Sequence, residues 1–414
     1  MRSVQPATRM TRLLVRDLAQ VATPVAGRAP LRGRALGEVE VLEHAYVLCS
    51  GGEIEAVGRM ADLGSLGGEV EELDGRGLCA IPGLIDCHTH PAWGGDRTEE
   101  FSLRAAGATY EELHAAGGGI LSTVRATRAL DDEALAERVA LHASWMLRDG
   151  TTTWEGKSGY GLDRDTELAS LGAVRAAGGS PTWLGAHAVP PERRDADDYL
   201  DYALAEVLPA AARLADAADV FLERGAFDAE QARRYLGACR QAGLVLRLHG
   251  DQFTESGAIP LAVSLGARSV DHLEASGAAG IAELAASDVV GVLLPASALF
   301  LGRPMPPARA LVDAGAAIAL ATDFNPGSAF TTSLPLVCSL ACTQLKLSPA
   351  EALAATTVNA AHVLGVAGRA GRLAPGLAAD LVLLDAPDWR HLAYHLAGDI
   401  VAAVVKGGSV AYHR

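Results

Sequence analysis

The chain has 414 residues, half of them apolar, with a net charge of −15 and a pI near 5.2. That apolar content is enough to bury a large core and excludes disorder as the main theme, while the acidic balance excludes a surface of clustered Lys and Arg, so no nucleic-acid partner is expected. No stretch reaches the roughly 20 uninterrupted apolar residues of a membrane span, so no membrane partner is expected either.

In chain order, residues 1 to about 10 read as a loose tail. Arg2, Arg9, Arg12 and Arg16 accompany no signal-peptide apolar core, which points away from secretion. Residues 12 to 80 carry short strands and turns: "RLLVRDLAQVAT", then "YVLCSGGEIEAVG" with a hairpin signal at Gly51-Gly52, then "LGSLGGEVEELDGRG". From residue 81, apolar runs of strand length alternate with amphipathic helical stretches, the pattern of βα units around a parallel sheet. Eight runs are expected as strands, at 81–87, 150–156, 181–186, 219–223, 244–249, 268–272, 289–294 and 317–322. Eight such units in about 280 residues match a closed barrel, for which roughly 250 is typical.

The helices carry their own punctuation. "DDEALAERVALHASWMLRDG" has Asp131 as N-cap, sets Leu135, Val139, His142 and Met146 on one face, and stops at Gly150. His142 therefore reads as a packing histidine. "SPAEALAATTVNAAHVLG" reads as one helix from a capping box of Ser348 and Glu351 to Gly365, with His362 structural. "GRLAPGLAADLVLLD" and "IVAAVVKGGSVAYHR" return to strand and hairpin texture, so residues 1–80 and 369–414 are expected to meet in one small β domain beside a barrel of 81–368. Cys49, Cys79, Cys87, Cys239, Cys338 and Cys342 form neither a CxxC pair nor a dense framework and read as reduced thiols of a cytosolic protein.

In such a barrel the site lies at the C-terminal ends of the strands. The first run ends in "DCHTH", and alternation along a strand sends His88 and His90 to the same side. Run five ends in "LVLRLHGD" with His249, run six in "ARSVDHLE" with His272, and run eight in "IALATDFNPG" with Asp323. Three imidazoles and a carboxylate suit Zn²⁺ or Fe²⁺ with a position left open, so His88, His90, His249 and Asp323 are expected to hold one ion, with His272 beside it as proton carrier. The competing reading of Asp323 is a helix N-cap. Run four, "ADVFLERG", has no lysine, which argues against a binuclear site bridged by a carboxylated lysine; Lys157 reads as a structural or substrate-facing cation.

A divalent ion brings the pKa of its water from 15.7 toward about 7, which makes hydrolysis the expected chemistry. Asp323 can take the proton from that water, and His272 can hydrogen-bond to it or to a developing oxyanion. Gln252, in "HGDQ", can hold a substrate but cannot shuttle a proton, which favours breaking a ring amide over deamination. Asp251 could serve instead, although alternation points it the other way. Arg97, in "GGDRTEE", is placed to clamp a carboxylate, or is an ordinary surface arginine balanced by Glu99 and Glu100. Tyr160 and His187, after runs two and three, can face the same cavity; for His187 a core position competes. Asn325, Gly327 and Ser328 of "NPGS" offer directional hydrogen bonds to a polar ligand or form a plain turn.

The set "PGLIDCHTH", "HGD", "DHLE" and "ATDFNPGS", followed by "GRLAPGLAADLVLLD", resembles the amidohydrolase superfamily. "WGGDRTEEF", "GGGILSTVRATR", "TTTWEGKSGYGLDRDTEL" and "GAHAVPPE" resemble its imidazolonepropionase family, strongly from about residue 80 to 375 and more loosely through both ends. The resemblance implies an α/β fold: a distorted (β/α)8 TIM-type barrel with a small β-sandwich made from both termini. It implies His88, His90, His249 and Asp323 as ligands of one zinc or iron ion, Zn²⁺ or Fe²⁺/³⁺. It further implies Arg97, Tyr160, His187, Gln252, Asn325, Gly327 and Ser328 as contacts for substrate or product, with Tyr110 of "GATYEEL" near the same pocket. Many family members carry Glu where this chain has Gln252, which takes proton transfer away from that position.

The implied reaction adds water to the ring carbonyl of 4-imidazolone-5-propanoate, breaks the ring amide and yields N-formimidoyl-L-glutamate. Arg97 would hold the propanoate arm, the ion and His272 would stabilise the tetrahedral oxyanion, and Asp323 would move the proton to the departing nitrogen. The family also implies a cytoplasmic homodimer acting on a small molecule. The rival expectation is another mononuclear amidohydrolase, a deaminase or cyclic-amide hydrolase for a different carboxylated heterocycle.

Overall fold

The computed structural model describes residues 12–27, 29–107 and 118–414. The expected tail at residues 1 to about 10, and Tyr110, lie outside the described residues. The N-terminal part forms β1 (Arg12–Pro24), β2 (Val39–Ser50), β3 (Glu53–Arg59), β4 (Val70–Asp74) and β5 (Cys79–Pro82). Eight parallel strands follow: β6 (Leu84–Asp86), β7 (Thr151–Lys157), β8 (Ser180–Ala186), β9 (Ala217–Leu222), β10 (Val245–Gly250), β11 (Ser269–His272), β12 (Val290–Leu293) and β13 (Ile318–Leu320). The chain ends in β14 (Leu381–Leu384), β15 (Val401–Lys406) and β16 (Ser409–His413).

Both ends share one mixed sheet in the order β16-β15-β14-β5-β1-β2-β3, with β4 on β1. What joins them is apolar burial: Val15, Val47, Ile54, Leu381 and Val405 belong to one cluster. Gly51 and Gly52, at φ 59° and 87°, turn β2 into β3, and Gly407 and Gly408, at 56° and 76°, turn β15 into β16. Glycine suits both turns because other residues resist positive φ.

All eight expected barrel runs are strands, and each pairs with its sequence neighbour to make a nearly closed barrel. The run expected at 81–87 is divided, however. A side chain at Gly83 would overlap Thr152, so the backbone passes close there and changes partners. Ile81 pairs with Val382 in the small sheet, whereas Ile85 pairs with Thr153 in the barrel. The remaining seam, between β13 and β6, is joined at the mouth: Asp323 N donates to His88 O at 3.1 Å and His90 N to Phe324 O at 2.9 Å. Below them Thr322 Oγ1 donates to Asp86 Oδ2 at 2.5 Å.

The helix expected from Ser348 to Gly365 is two helices, Pro349–Ala355 and Val358–Leu364. The hydroxyls of Thr356 and Thr357 turn back onto the carbonyls of Ala352 and Leu353, competing with the helical ladder. The break has a use, since Thr356 O accepts from Ile85 N at 2.8 Å and so caps an open edge of β6. Asp131 caps the helix Asp132–Arg148 by accepting from Ala134 N, as its sequence suggests. Among the described residues no helix is long and apolar enough to cross a membrane.

His142 is buried, stacked 4.1 Å from the Trp93 ring, and its Nδ1 donates to Pro91 O at 2.7 Å. Burial lowers its pKa to about 4. Between that value and an unfolded value of about 6.5 the unfolded chain binds a proton that the folded chain refuses, so stability falls as pH falls through this window. Replacing His142 by Gln, which keeps a donor for Pro91 and removes the basic nitrogen, is expected to flatten the acid side of a urea-denaturation profile by up to about 1.4 kcal/mol per pH unit.

Candidate metal centre and active site

The mouth of the barrel gathers side chains from four of its strand ends. His88 Nε2 and His90 Nε2 lie 3.3 Å apart, and His90 Nε2 and His249 Nε2 also 3.3 Å. Asp323 Oδ1 is 3.5 Å from His88 Nε2 and 3.4 Å from His90 Nε2. His272 joins from β11, its ring 5.7 Å from that of His88 and 5.4 Å from that of His249. All five side chains are buried.

Hydrogen bonding alone does not account for this arrangement. His88 Nδ1 faces Asp271 Oδ2 at 2.6 Å and His249 Nδ1 faces Asp219 Oδ1 at 3.0 Å. A carboxylate takes the proton-bearing nitrogen, so the Nε2 atoms of both rings present bare lone pairs. Burial lowers His88 well below the ordinary imidazole range and His249 to about 4, which keeps both rings neutral. Lone pairs therefore face a carboxylate oxygen, and one N–H on His90 cannot satisfy all of them. Donors held about 2.0–2.1 Å from a tetrahedral ion are separated by about 3.3–3.4 Å; the four separations above, at 3.3–3.5 Å, are close to that, and two triads, His88–His90–Asp323 and His88–His249–His272, each gather their donor atoms within 4.8 Å. The cluster fits a divalent metal ion.

Around it the other expected residues take varied positions. The Tyr160 ring is 6.1 Å from His90 and 5.2 Å from His187, whose ring stacks on His90 at 5.8 Å. Tyr160 sits in a tight loop whose Gly159, Gly161 and Leu162 amides all donate to buried Glu167. His187 Nδ1 donates to Gly159 O at 2.9 Å, tying the two together, and burial lowers its pKa to about 3. Arg97 gives Nε and Nη2 to Glu100 at 3.0 and 2.5 Å, while its Nη1 lies against Gly327, leaving no room there for a side chain. Asn325 is spent on its own loop: its Oδ1 accepts from Gly327 N and Ser328 N, and its Nδ2 donates to Asp323 O at 2.6 Å. Ser328 Oγ reaches Asp323 Oδ2 at 3.2 Å. Gln252 is half-buried on the loop after β10.

Lys157 is not a substrate-facing cation. It is fully buried below the cluster, with Nζ 2.9 Å from Glu155 and 2.6 Å from Asp219. The sequence reading also passed over Asp219, Asp271, Glu155 and Glu274. Glu274 Oε1 lies 3.5 Å from His272 Nδ1, and although burial works against charge on that ring, the neighbouring carboxylate pushes its pKa up. A carboxylate inside an apolar strand, as in "AADVFL", is the signal that could have found Asp219.

The amidohydrolase family model matches residues 79–411. The chain belongs to the amidohydrolase family. Among family relatives, it is 59% identical to an imidazolonepropionase of Rubrobacter xylanophilus over 97% of this chain and 98% of that one. An imidazolonepropionase of Chloroflexus aggregans is 46% identical over 96% and 98%. Solved structures agree in fold: an adenosine deaminase from Xanthomonas campestris with bound zinc has a TM-score of 0.71 at 21% identity, over 96% of this chain and 92% of that one. An E. coli guanine deaminase reaches 0.73 at 16% identity, over 97% and 99%.

His249→Ala and Asp323→Ala are each expected to lower bound zinc, counted per chain by elemental analysis after dialysis, by at least roughly tenfold, with an unchanged circular dichroism spectrum.

Proposed function

We propose that the chain hydrolyses 4-imidazolone-5-propanoate to N-formimidoyl-L-glutamate in histidine degradation, with one zinc or iron ion held by His88, His90, His249 and Asp323. The donor cluster supports metal-assisted hydrolysis, and the observation that carries the substrate is the 59% identity, over nearly the whole chain, to a relative named imidazolonepropionase. A divalent ion held by this cluster would supply Lewis acidity and lower the pKa of a water bound there.

The chain's own residues do the rest. Asp323 accepts the proton from the attacking water and passes it to the ring nitrogen as the C–N bond breaks. His272, held by Glu274, donates to the oxyanion that forms on the ring carbonyl. Arg97 keeps Glu100 on one edge and offers Nη1 to the propanoate carboxylate. Gln252, Tyr160 and His187 hold the ring, and the buried cluster of Tyr160 with Trp93 and Phe324 keeps bulk water away. Within the same reading, the barrel is residues 81–368, the small domain is 1–80 with 369–414, and the enzyme is a cytoplasmic homodimer that binds no nucleic acid.

In an absorbance assay the purified chain is expected to consume 4-imidazolone-5-propanoate without releasing ammonia, and a chelator should abolish turnover that added Zn²⁺ or Fe²⁺ restores. Ammonia release would favour a deaminase instead. Gly327→Ala tests the carboxylate clamp, because the added methyl overlaps only the flexible end of Arg97. That variant is expected to melt as the wild type does while KM rises about tenfold or more, the loss of a charge-assisted hydrogen bond of roughly 1.5–3 kcal/mol.

A further inference from the structure

Barrel interiors of this type are usually filled by Val, Ile and Leu. Here one interior layer is ionic. Lys157, at the end of β7, sets Nζ 2.6 Å from Asp219 Oδ2, 2.9 Å from Glu155 Oε1 and 3.9 Å from Asp271 Oδ2, with all four side chains fully buried. Glu155 also takes Arg247 and, at 2.5 Å, Thr182 Oγ1, which fixes the far side of the lysine's nest. The two aspartates that Lys157 holds are the two that face donor rings: Asp219 Oδ1 accepts from His249 N and lies 3.0 Å from its Nδ1, and Asp271 Oδ2 lies 2.6 Å from His88 Nδ1.

We propose that Lys157 is a positioning residue for the metal centre: its ammonium fixes the two carboxylates that aim His249 and His88, and thereby sets the spacing of their Nε2 donors. The proposal rests on the metal reading above. Asp219 bonds both the ammonium and an imidazole, and Asp271, 2.6 Å from His88 Nδ1, lies within ion-pair distance of the same ammonium at 3.9 Å, so the lysine links the supports of the two rings. Without the cation, two like charges face each other across the barrel and each is released to turn away from its ring. A compact ammonium with three tetrahedral donors suits three carboxylates, whereas the flat fork of a guanidinium does not.

The test compares the full-length wild type with Lys157→Met and with the charge-conserving double variant Lys157→Met/Glu155→Gln, which leaves Asp219 and Asp271 in place, each titrated with Zn²⁺ against a chromophoric chelator. Both variants are expected to bind zinc about tenfold or more weakly, as perturbed supports of metal ligands do, and to shift the visible spectrum of the Co²⁺-substituted protein. At saturating metal, kcat should fall while KM stays within about twofold, since Lys157 is placed away from the substrate. If Lys157→Met fails to fold, the double variant carries the same reading. Folded variants with wild-type zinc affinity and an unchanged Co²⁺ spectrum would overturn the role of Lys157 and leave the metal centre standing. A wild-type chain that binds no zinc in this titration would overturn both.

Discussion

The barrel closes where β13 meets β6, and the backbone bonds that close it are made by the residues carrying the donors. Asp323 N donates to His88 O, and His90 N to Phe324 O, so the spacing between the carboxylate and the two first histidines is fixed by the same contacts that shut the mouth. Closure and site geometry are one constraint. It is held against backbone strain, for Asp323 has φ 56° and His272 has φ 84°. Left-handed backbone at non-glycine residues costs on the order of 1–3 kcal/mol and persists where the surroundings over-determine it. Both strained residues point their side chains at the cluster, which is what strain at a functional site accomplishes.

The ionic layer under the cluster raises the question of whether it serves stability. Buried ion pairs seldom do, because desolvation costs several kcal/mol per ion, and well-packed apolar substitutes are often neutral or stabilising by about 1–4 kcal/mol. A barrel that wanted only stability would have kept Val or Leu at Glu155, Lys157, Asp219 and Asp271. Asp219 and Asp271 instead face donor imidazoles, Lys157 lies between the two, and Glu155 holds Lys157. The layer is better explained by what it orients than by what it stabilises. Neutral, oriented imidazoles above a fixed set of charges give a divalent ion both its ligands and its electrostatic complement.

How much of this was legible in the sequence depended on where the polar residues sat relative to strand ends. His88, His90, His249, His272 and Asp323 each follow an apolar run, so the rule that barrel sites lie at strand C-termini picked them out. Asp219 and Asp271 lie within β9 and β11, where a carboxylate has no neighbour in sequence to explain it; only closure brings Lys157 between them. The same limit applies to Lys157, which reads from sequence as either structural or substrate-facing because two of its three carboxylate partners come from other strands. The break at Thr356–Thr357 was hidden for a different reason. Its local signal, two adjacent threonines, is weak, and the gain comes from a carbonyl offered to distant Ile85. Gly83 likewise looks like an ordinary strand residue until Thr152 is packed against it.

Gln252 shows how fold and chemistry meet. Its loop is rigid: buried Glu223, at the end of β9, accepts from Phe253 N at 2.8 Å, from Thr254 N at 3.2 Å and from the Thr254 hydroxyl. On the other side Asp251, at φ 54°, has Oδ1 taken by Ser256 and Oδ2 by Ser276, which removes it as a stand-in proton carrier. Gln252, carried between these two anchored neighbours, has an amide that can orient a polar ring but has no proton to exchange. In the proposed reaction, proton movement near the cluster falls to Asp323 and His272. In the proposed ring opening one proton leaves the attacking water and reaches the departing nitrogen, carried by Asp323, while His272 donates to the oxyanion. Deamination of an amidine carbon requires a further acid at the ring nitrogen, in the place where this chain has put glutamine.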